Sequence, residues 1–437
     1  MKAMKHLAYH YGIKMRFYPS NQQKEMIKRN YDAQRFVYNS YVGNNRIIYQ
    51  IKKLSYLQQL TSNLPFVSPL PTKHQLDLIN YMQTLQNLIS TPKHLRDAYN
   101  FLRVKQIDSL AIANAVQNYH KAWLNYHKIG QGIPQFHKKS NEWSYQTNCL
   151  YTNNKLKNTY LTNGITRFID QCHLKIPKIG IVKVKNVRNF IQKRINKQIP
   201  TRIGTVTLRK TVDNQFYVSL QLASDIPFVK PMKLVGNPIG IDLNLDNFLT
   251  ESNGSMVKNP KFYRKSKKKL AKLQQVLNRR ERHVKKLGRN LKNASNYQKQ
   301  YQLVAKLQVK IKRQRRNFLN NLSTILVKNH DLIVAKELRS KNMLKNHALA
   351  QANSDVGWRT FLSMLEYKAK LYVKQFVTIN PKYTTQRCHN CGTIMGHNGY
   401  PKLTLKDRIW TCPICQVYHV RDWNAAINIL AKQQNVW

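Results

Sequence analysis

Two Cys-x-x-Cys pairs near the end of the chain constrain the fold there more than any other feature of the sequence. Cys388 is paired with Cys391, and Cys412 is paired with Cys415. Each pair can place two thiolates on one tight turn, and four thiolates supply the tetrahedron that a structural zinc ion requires. The spacing predicts a zinc ribbon over residues 384–418. A closed set of four thiolates leaves no open position for catalysis at the metal. The alternative to a zinc site is a redox role for the cysteines.

The remaining cysteines, Cys149 and Cys172, stand alone in the sequence, and we expect them to be ordinary buried or partly exposed thiols. This usage does not indicate a disulfide framework and favours a reducing, cytoplasmic location. The sequence has no long apolar run and no signal peptide, so we do not expect a membrane partner.

The charge balance of the chain predicts a polyanionic partner. Lys and Arg number 74 against 19 Asp and Glu, which gives a formal net charge of +55 over 437 residues. Self-repulsion of this size opposes a compact state unless a polyanion neutralises it, and nucleic acid is the natural candidate. With 42% hydrophobic residues, the chain can still build the cores of two to four domains.

The first half of the chain predicts a strand, a helical block and then a strand-rich region. Residues 12–19 alternate in polarity and stop at a proline, as a short strand does. Apolar residues at helical spacing dominate 21–128 and are interrupted by three prolines between residues 65 and 71, which mark a loop. Two alternating segments, 203–209 and 215–221, predict a hairpin, and 227–238 resembles a linker.

The second half predicts strands that alternate with helices, which is typical of an α/β domain. An apolar strand at 240–245 is followed by a basic helical hairpin at 263–328, with its turn near residues 293–296. A second strand at 331–338 precedes a helix that we expect Ser354 and Asp355 to cap and that runs to about Phe376. A short strand at 376–380 leads into the cysteine pairs, and a last helix is predicted from Asn424.

Three acids in this half point to phosphodiester chemistry. Only ten Asp or Glu residues follow position 236, so an acid within an apolar strand is conspicuous. Asp242 is such an acid, Glu337 ends the second strand, and Asp422 precedes the last helix. Two-metal cleavage of phosphodiesters requires converging carboxylates that hold magnesium. A cap or surface role is the ordinary alternative for any one of these acids.

Taken together, these motifs resemble the TnpB family, the RNA-guided nucleases of IS200/IS605-type transposons, which are related to the Cas12 effectors. The resemblance covers nearly the whole chain. It rests on short motifs in the N-terminal, middle and C-terminal thirds: Tyr18-Pro19-Ser20-Asn21-Gln22-Gln23, Arg35-Phe36-Val37-Tyr38-Asn39, Ala122-Trp123, Pro134-Gln135-Phe136-His137-Lys138-Lys139, Gly240-Ile241-Asp242, Leu365-Glu366-Tyr367-Lys368, Thr385-Gln386 with the cysteines, and Arg421-Asp422-Trp423-Asn424-Ala425-Ala426.

The resemblance implies an α+β multidomain fold. Residues 1–20 would give the first strand of a wedge β-barrel, 21–128 a helical recognition domain, and 129–235 the rest of the wedge barrel. Residues 236–437 would form a RuvC-like nuclease domain with an RNase H fold, into which the helical hairpin and the zinc ribbon are inserted. Asp242 and Asp422 match the first and third catalytic positions and would hold magnesium.

The second catalytic position departs from the family pattern. The family has a glutamate where this chain has Lys336, and Glu337 stands one residue later. A one-residue step along a strand turns a side chain to the opposite face. Lys336 would also repel a divalent ion, since one unit-charge pair at about 4 Å costs about 4 kcal/mol at an effective dielectric of 20. Val420 replaces a further aspartate that the family usually has.

Three interpretations of this departure remain open. A bulge could turn Glu337 inward, Glu366 on the following helix could supply the missing carboxylate, or Lys336 could neutralise Asp242 and Asp422 and abolish metal binding. We expect the histidines around the cysteines, His389, His397 and His419, to be surface or phosphate-facing residues.

The first functional hypothesis is an RNA-guided, magnesium-dependent DNA endonuclease, with a guide RNA and double-stranded target DNA as partners and a functional link to a transposase. The alternative is an RNA-guided DNA binder or repressor that does not cut, for which Lys336 is the marker. A generic structural RNA-binding protein would explain the charge and the ribbon but not Asp242 and Asp422. Strand transfer by the chain itself, although older family names suggest it, is not predicted.

Overall fold

The computed structural model describes residues 3–54, 73–129, 131–151, 160–185, 187–337, 357–404 and 406–434. The chain divides into two units, Met1–Phe228 and Val229–Trp437. Within the described ranges, no helix has the length and apolar character needed to cross a membrane.

The helices of the first unit follow from their caps and apolar spacing. Ser20 begins α1 with a capping box, because its hydroxyl accepts from the Gln23 backbone and the Gln23 side chain accepts from the Ser20 backbone. Buried residues that include Val37 and Ile112 join α1 to the later helices. The helices are α1 (Asn21–Lys52), α2 (Lys73–Ser90), α3 (Pro92–Ala98), α4 (Asn100–Arg103) and α5 (Ser109–Ile129). The predicted proline loop lies outside the described residues.

The strands of the first unit form one seven-stranded sheet in the order β2-β6-β7-β1-β5-β4-β3. The predicted hairpin is confirmed, since β6 pairs with β7 in antiparallel register. The described pairings leave β2 and β3 at the edges, so they give an open sheet where the resemblance predicts a barrel. The strands are β1 (Tyr9–Tyr18), β2 (Trp143–Asn148), β3 (Arg167–Phe168), β4 (His173–Ile176), β5 (Gly180–Lys185), β6 (Arg202–Lys210) and β7 (Phe216–Ser224), with short helices α6 (Tyr160–Asn163) and α7 (Asn189–Asn196) between them.

The second unit is built on a five-stranded mixed sheet in the order β10-β9-β8-β11-β12. β11 runs parallel to both β8 and β12, whereas β9 is antiparallel to β8 and β10. One face of this sheet is buried against two helices through residues such as Ile241, Ile333 and Phe361. The strands are β8 (Ile239–Leu243), β9 (Asn247–Glu251), β10 (Met256–Lys258), β11 (Leu332–Lys336) and β12 (Gln375–Ile379).

The helices of the second unit confirm the predicted hairpin and shift two predicted boundaries. The hairpin comprises α8 (Phe262–Lys286) and α9 (Ser295–Asn329), and α10 spans Trp358–Tyr372. Gly357, in a left-handed conformation, is the N-cap of α10, while Ser354 and Asp355 lie outside the described residues. The last helix, α11 (Arg421–Gln433), begins three residues before the predicted Asn424. Asp422 therefore lies in its first turn, directly after the two-stranded hairpin of β13 (Ile409–Thr411) and β14 (Tyr418–Val420).

A close approach of backbone to backbone places α11 on the sheet face opposite α9 and α10. A Cβ atom at Gly240 would lie 2.2 Å from the Ala426 carbonyl oxygen and 2.9 Å from the Leu430 nitrogen. Ala425 and Ala426 are fully buried, so small side chains on the helix and a glycine on β8 permit the contact. This packing brings the N-terminus of α11 towards the strand that carries Asp242.

We predict that Gly240→Ala destabilises the second unit by about 1–3 kcal/mol, the usual cost of overpacking a core, because both atoms that meet the new Cβ belong to the α11 backbone. The matched control is Gly12→Ala on β1, where a Cβ would meet nothing within 4 Å. Denaturant unfolding of both variants measures the difference. Equal stabilities for the two variants would show that α11 does not depend on this contact.

Candidate functional site

Asp242 on β8 and Lys336 on β11 form an ion pair at the ends of two parallel strands. The register pairs Val334 with Gly240 and Ala335 with Ile241, so Lys336 comes next, opposite Asp242. The Lys336 Nζ lies 2.7 Å from Asp242 Oδ1, and the two side chains are 18% and 6% exposed. Lys336, which the resemblance aligns with a glutamate of the family, therefore pairs directly with Asp242. This is the contact with Asp242 that the third interpretation expects, and whether it abolishes metal binding stays a prediction.

Burial governs the charge state of Asp242. It raises the pKa of the Asp242 carboxyl above its usual value, whereas the Lys336 charge and hydrogen bond act in the opposite direction. The negative charge of Asp422 also raises the pKa of Asp242. Asp242 and Asp422, far apart in sequence, are thus close enough in the fold to interact electrostatically.

Asp422 has its own cationic neighbours, both arginines. Its carboxylate oxygens lie 3.6 Å from an Arg408 nitrogen and 3.6 Å from an Arg421 nitrogen. Arg408 also contacts Asp246 at 2.5 Å, and Arg421 donates to the Thr404 carbonyl at 2.8 Å. Neither arginine was predicted to be a partner of Asp422. Arg421 adjoins Asp422 in sequence and could have been found, but nothing in the sequence links Arg408 to the site.

Glu337 and Glu366, the two acids considered for the second catalytic position, are exposed. Glu337 donates its backbone N–H to the Ile379 carbonyl at 2.9 Å, and the β11–β12 register stays regular through Lys336, with no bulge before Glu337. Glu366 lies 3.0 Å from Lys370 on the surface of α10. The structure brings Asp242 and Asp422 together and places these two glutamates in solvent-exposed positions.

The four cysteines meet in one cluster that could bind a metal such as zinc. Their sulfur atoms all lie within 4.8 Å of one another, with Cys388 3.6 Å from Cys415 and Cys391 3.5 Å from Cys412. Tetrahedral zinc with bonds of about 2.3 Å has sulfur–sulfur distances of roughly 3.8 Å, so the set fits. Among the described residues, this is the one group of three or more such ligands close enough to share an ion.

His419 corrects the expectation that the histidines near the cysteines face the surface. It is 1% exposed, with its Nε2 3.1 Å from the Cys388 sulfur and its ring 4.5 Å from that of Trp410. Burial lowers the pKa of His419 to about 4, and His389 acts in the same direction. A neutral His419 therefore packs against Cys388 and Trp410, while His389 and His397 are exposed.

One face of the seven-stranded sheet is basic and aromatic. Arg16 lies opposite both Tyr217 and Lys185 in the register, and the Lys14 Nζ is 4.4 Å from the Tyr217 ring centre. None of the seven strands contains an Asp or Glu, and the alternate side chains are buried and apolar. We define the basic sheet face by the outward side chains of Lys14, Arg16, Tyr18, Lys175, Lys183, Lys185, Arg209 and Tyr217.

We predict that Lys336→Met lowers the free energy of unfolding by about 3–5 kcal/mol at neutral pH, because it leaves the buried Asp242 without its cation. The pKa of Asp242 is raised in the folded state, so protonation of Asp242 stabilises the fold. This stabilisation is present at low pH and is lost as the pH rises through the folded-state pKa. The deficit of the variant should therefore shrink under mildly acidic conditions. Denaturant unfolding at neutral pH and under mildly acidic conditions measures the difference in the free energy of unfolding between the variant and the natural chain.

The matched control for this prediction is Lys370→Met, which removes the cation of the exposed pair with Glu366 and should change stability by less than about 0.5 kcal/mol. A Lys336→Met variant as stable as this control at neutral pH would contradict the assigned ion pair.

Three family models match parts of the chain. "Cas12f1-like, TNB domain" covers residues 358–429, "Probable transposase" covers 218–347, and "Helix-turn-helix domain" covers 9–53. The segment that matches the helix-turn-helix model, residues 9–53, folds as β1 followed by the single long helix α1, with no turn between two helices. The segment that matches the Cas12f1-like model, residues 358–429, includes the four cysteines, Asp422 and most of α11.

Curated relatives match most of the chain. A Streptomyces pristinaespiralis protein named "Putative RNA-guided DNA endonuclease" is 28% identical over 96% of this chain and 88% of its own length. The Escherichia coli K12 protein "Putative RNA-guided DNA endonuclease InsQ" is 24% identical over 75% of each chain. The mimivirus "TnpB-like protein L79" is 25% identical over 64% of this chain and 55% of its own.

A solved Cas12f1–sgRNA–target DNA complex contains a chain that aligns with 96% of this one over 98% of its own length, at 13% identity and a TM-score of 0.44. The family models and the curated relatives confirm the resemblance derived from the motifs. The chain is therefore similar to the TnpB proteins of IS605-type transposons.

Proposed function

We propose that this protein is an RNA-guided DNA endonuclease of a transposon. The observation that carries the proposal is the meeting of Asp242 and Asp422 beside the four-cysteine cluster, in a chain whose curated relatives bear that activity in their names. Guide RNA would pair with one DNA strand, and the protein would hold the resulting heteroduplex through its backbone. A link to a transposase remains a prediction.

The proposal includes an assignment of domains. The five-stranded sheet with α9, α10 and α11 on its two faces supports a RuvC-like nuclease domain of RNase H type over 236–437. The helices within 21–128 would be the recognition domain, and the seven-stranded sheet, including β1, would be the wedge. Zinc in the four cysteines would be structural, because a closed set of thiolates leaves no open coordination position.

Magnesium is the metal that the proposed chemistry requires, and the carboxylates do not offer it a ready site. Asp242 is engaged by Lys336, and Asp422 lies between Arg408 and Arg421. Neither Glu337 nor Glu366 adds a third carboxylate, since both are exposed. Asp242 and Asp422 would be the protein ligands of magnesium, but only after Lys336 has moved away from Asp242.

The ion pair between Lys336 and Asp242 therefore favours a second candidate, an RNA-guided DNA binder that does not cut. Such a protein would keep the fold and the charge that hold nucleic acid while its acids stay neutralised. Both candidates share guide and target binding, so only the fate of the target distinguishes them.

A cleavage assay with guide RNA, matched duplex DNA and magnesium tests the proposal. We predict slow cutting by the natural chain, an increase of at least about tenfold in Lys336→Glu, which restores a third carboxylate, and no cutting when Asp422→Asn is added to either form. A natural chain that binds the matched target without cutting it, while Lys336→Glu cuts, establishes the second candidate. The absence of guide-dependent binding in both forms contradicts the two candidates together.

The basic sheet face is the proposed contact for nucleic acid phosphates and bases in the first unit. We predict that the double variant Lys14→Gln/Lys185→Gln weakens RNA binding and lowers the slope of log affinity against log salt by roughly two, because each lysine displaces about one counterion. Affinities measured over a range of salt concentrations test this.

The matched control is Lys285→Gln/Lys370→Gln, whose ammonium groups already pair with Glu281 and Glu366 and should leave the salt slope nearly unchanged. Equal slopes for the two double variants would remove the basic sheet face from the binding surface.

A further inference from the structure

Two buried asparagines on α11 bind the backbone of the first cysteine pair. Asn424 and Asn428 are 1% and 2% exposed and lie four residues apart on one helix face. Asn424 Oδ1 accepts from the His389 backbone N–H at 2.9 Å, and its Nδ2 donates to the Arg387 carbonyl at 2.8 Å. Asn428 Nδ2 donates to the carbonyls of Arg387 and Thr384 at 2.7 and 3.1 Å. These four hydrogen bonds to backbone atoms, together with a contact of 3.0 Å between Asn424 Oδ1 and the His389 ring Nδ1, attach α11 to the turn that holds Cys388.

The second cysteine pair is attached to α11 by the chain itself. Cys415 is followed by β14, and α11 begins at the next residue after that strand, with Asp422 in its first turn. A metal bound by the four sulfur atoms would join the two cysteine pairs. The metal, β14, α11 and the asparagine contacts would then form one closed ring that includes the backbone of Asp422.

From this arrangement we infer that metal binding at the four cysteines sets the position of Asp422, and that Asn424 and Asn428 are the positioning residues that transmit it. The inference rests on the proposed role of Asp422 in the carboxylate site. Without the metal, the ring opens at the sulfur atoms, and the first cysteine pair and its four hydrogen bonds lose their attachment to the second pair. The N-terminus of α11 then keeps its packing against β8, the Trp423 bond to the Ser252 carbonyl, and the contacts of Arg421 and Asp422 with Thr404 and Arg408.

The same four hydrogen bonds should in turn stabilise the bound metal. They hold the turn that carries two of the thiolates in the conformation that the metal needs, so their loss should speed metal release. This reciprocity follows from linkage, because two events that stabilise one conformation stabilise each other.

The experiment uses the full-length protein loaded with zinc and has two readouts that do not depend on DNA cleavage. Amide hydrogen exchange over residues 421–426 is measured before and after zinc is removed with a chelator. Zinc release into excess chelator is followed with a colorimetric indicator. The forms compared are the natural chain, Asn424→Ala, Asn428→Ala, the conservative Asn424→Asp, and Gln434→Ala as an exposed amide at the end of the same helix.

We expect chelation to speed exchange over 421–426 by at least about tenfold, the effect of losing about one net hydrogen bond. Asn424→Ala and Asn428→Ala should speed both exchange and zinc release by a similar factor with zinc present. Asn424→Asp, which keeps the acceptor for the His389 N–H, should recover part of the effect on release, and Gln434→Ala should match the natural chain. Exchange in β11 reports whether each variant is folded.

The inference is overturned if chelation of the natural chain leaves exchange over 421–426 unchanged, a test that needs no variant. It is also overturned if both alanine variants release zinc at the natural rate. If the coupling is found but no form binds DNA in a guide-dependent way, the proposed function fails while the coupling between the cysteine cluster and α11 stands.

Discussion

The close packing of α11 on β8 is the contact on which the candidate site depends. Only a glycine at position 240 allows the α11 backbone to approach the strand, and the buried Ala425 and Ala426 complete the contact from the helix side. This approach brings the first turn of α11, with Asp422, near the end of β8, with Asp242. A fold that lost the contact would keep both acids and lose the site.

The same contact also determines the electrostatics of the site. It brings the aspartates together in a chain that has a large excess of Lys and Arg residues. Each of the three aspartates there has a cationic partner: Lys336 for Asp242, and Arg408 and Arg421 for Asp422, with Arg408 also reaching Asp246. The Lys336–Asp242 pair is largely buried, and a buried ion pair contributes little net stability but is costly to break. The free protein therefore holds its acids in a neutralised state, and a divalent ion must compete with cations that are part of the chain.

Much of this could be predicted from the sequence, because the relevant signals are local. The cysteine spacing predicted the cluster, and the hydrophobic periodicity predicted the hairpins and the strands of the second unit. The one-residue rule for strands anticipated that Lys336 and Glu337 would face opposite ways. Each of these predictions depends on backbone geometry that a short segment fixes by itself.

The parts that could not be predicted depend on contacts between distant segments. Arg408 directly precedes β13 and reaches Asp422 only because the β13–β14 hairpin leads back to the start of α11. His419 looks like an exposed residue of a short strand, yet the Cys388 sulfur and the Trp410 ring enclose it. The start of α11 at Arg421 was also missed, since no side chain caps it and only the tertiary contact marks its first turn.

Lys336 stands where the resemblance expects a metal-binding acid, and it pairs with Asp242 in the free protein. Titration calorimetry of magnesium into the protein without nucleic acid, for the natural chain and for Lys336→Glu, tests this most directly. We expect no saturable binding in the natural chain at low millimolar magnesium, because Lys336 holds Asp242, and clear saturable binding in Lys336→Glu. Equal magnesium affinity in the two forms would contradict it.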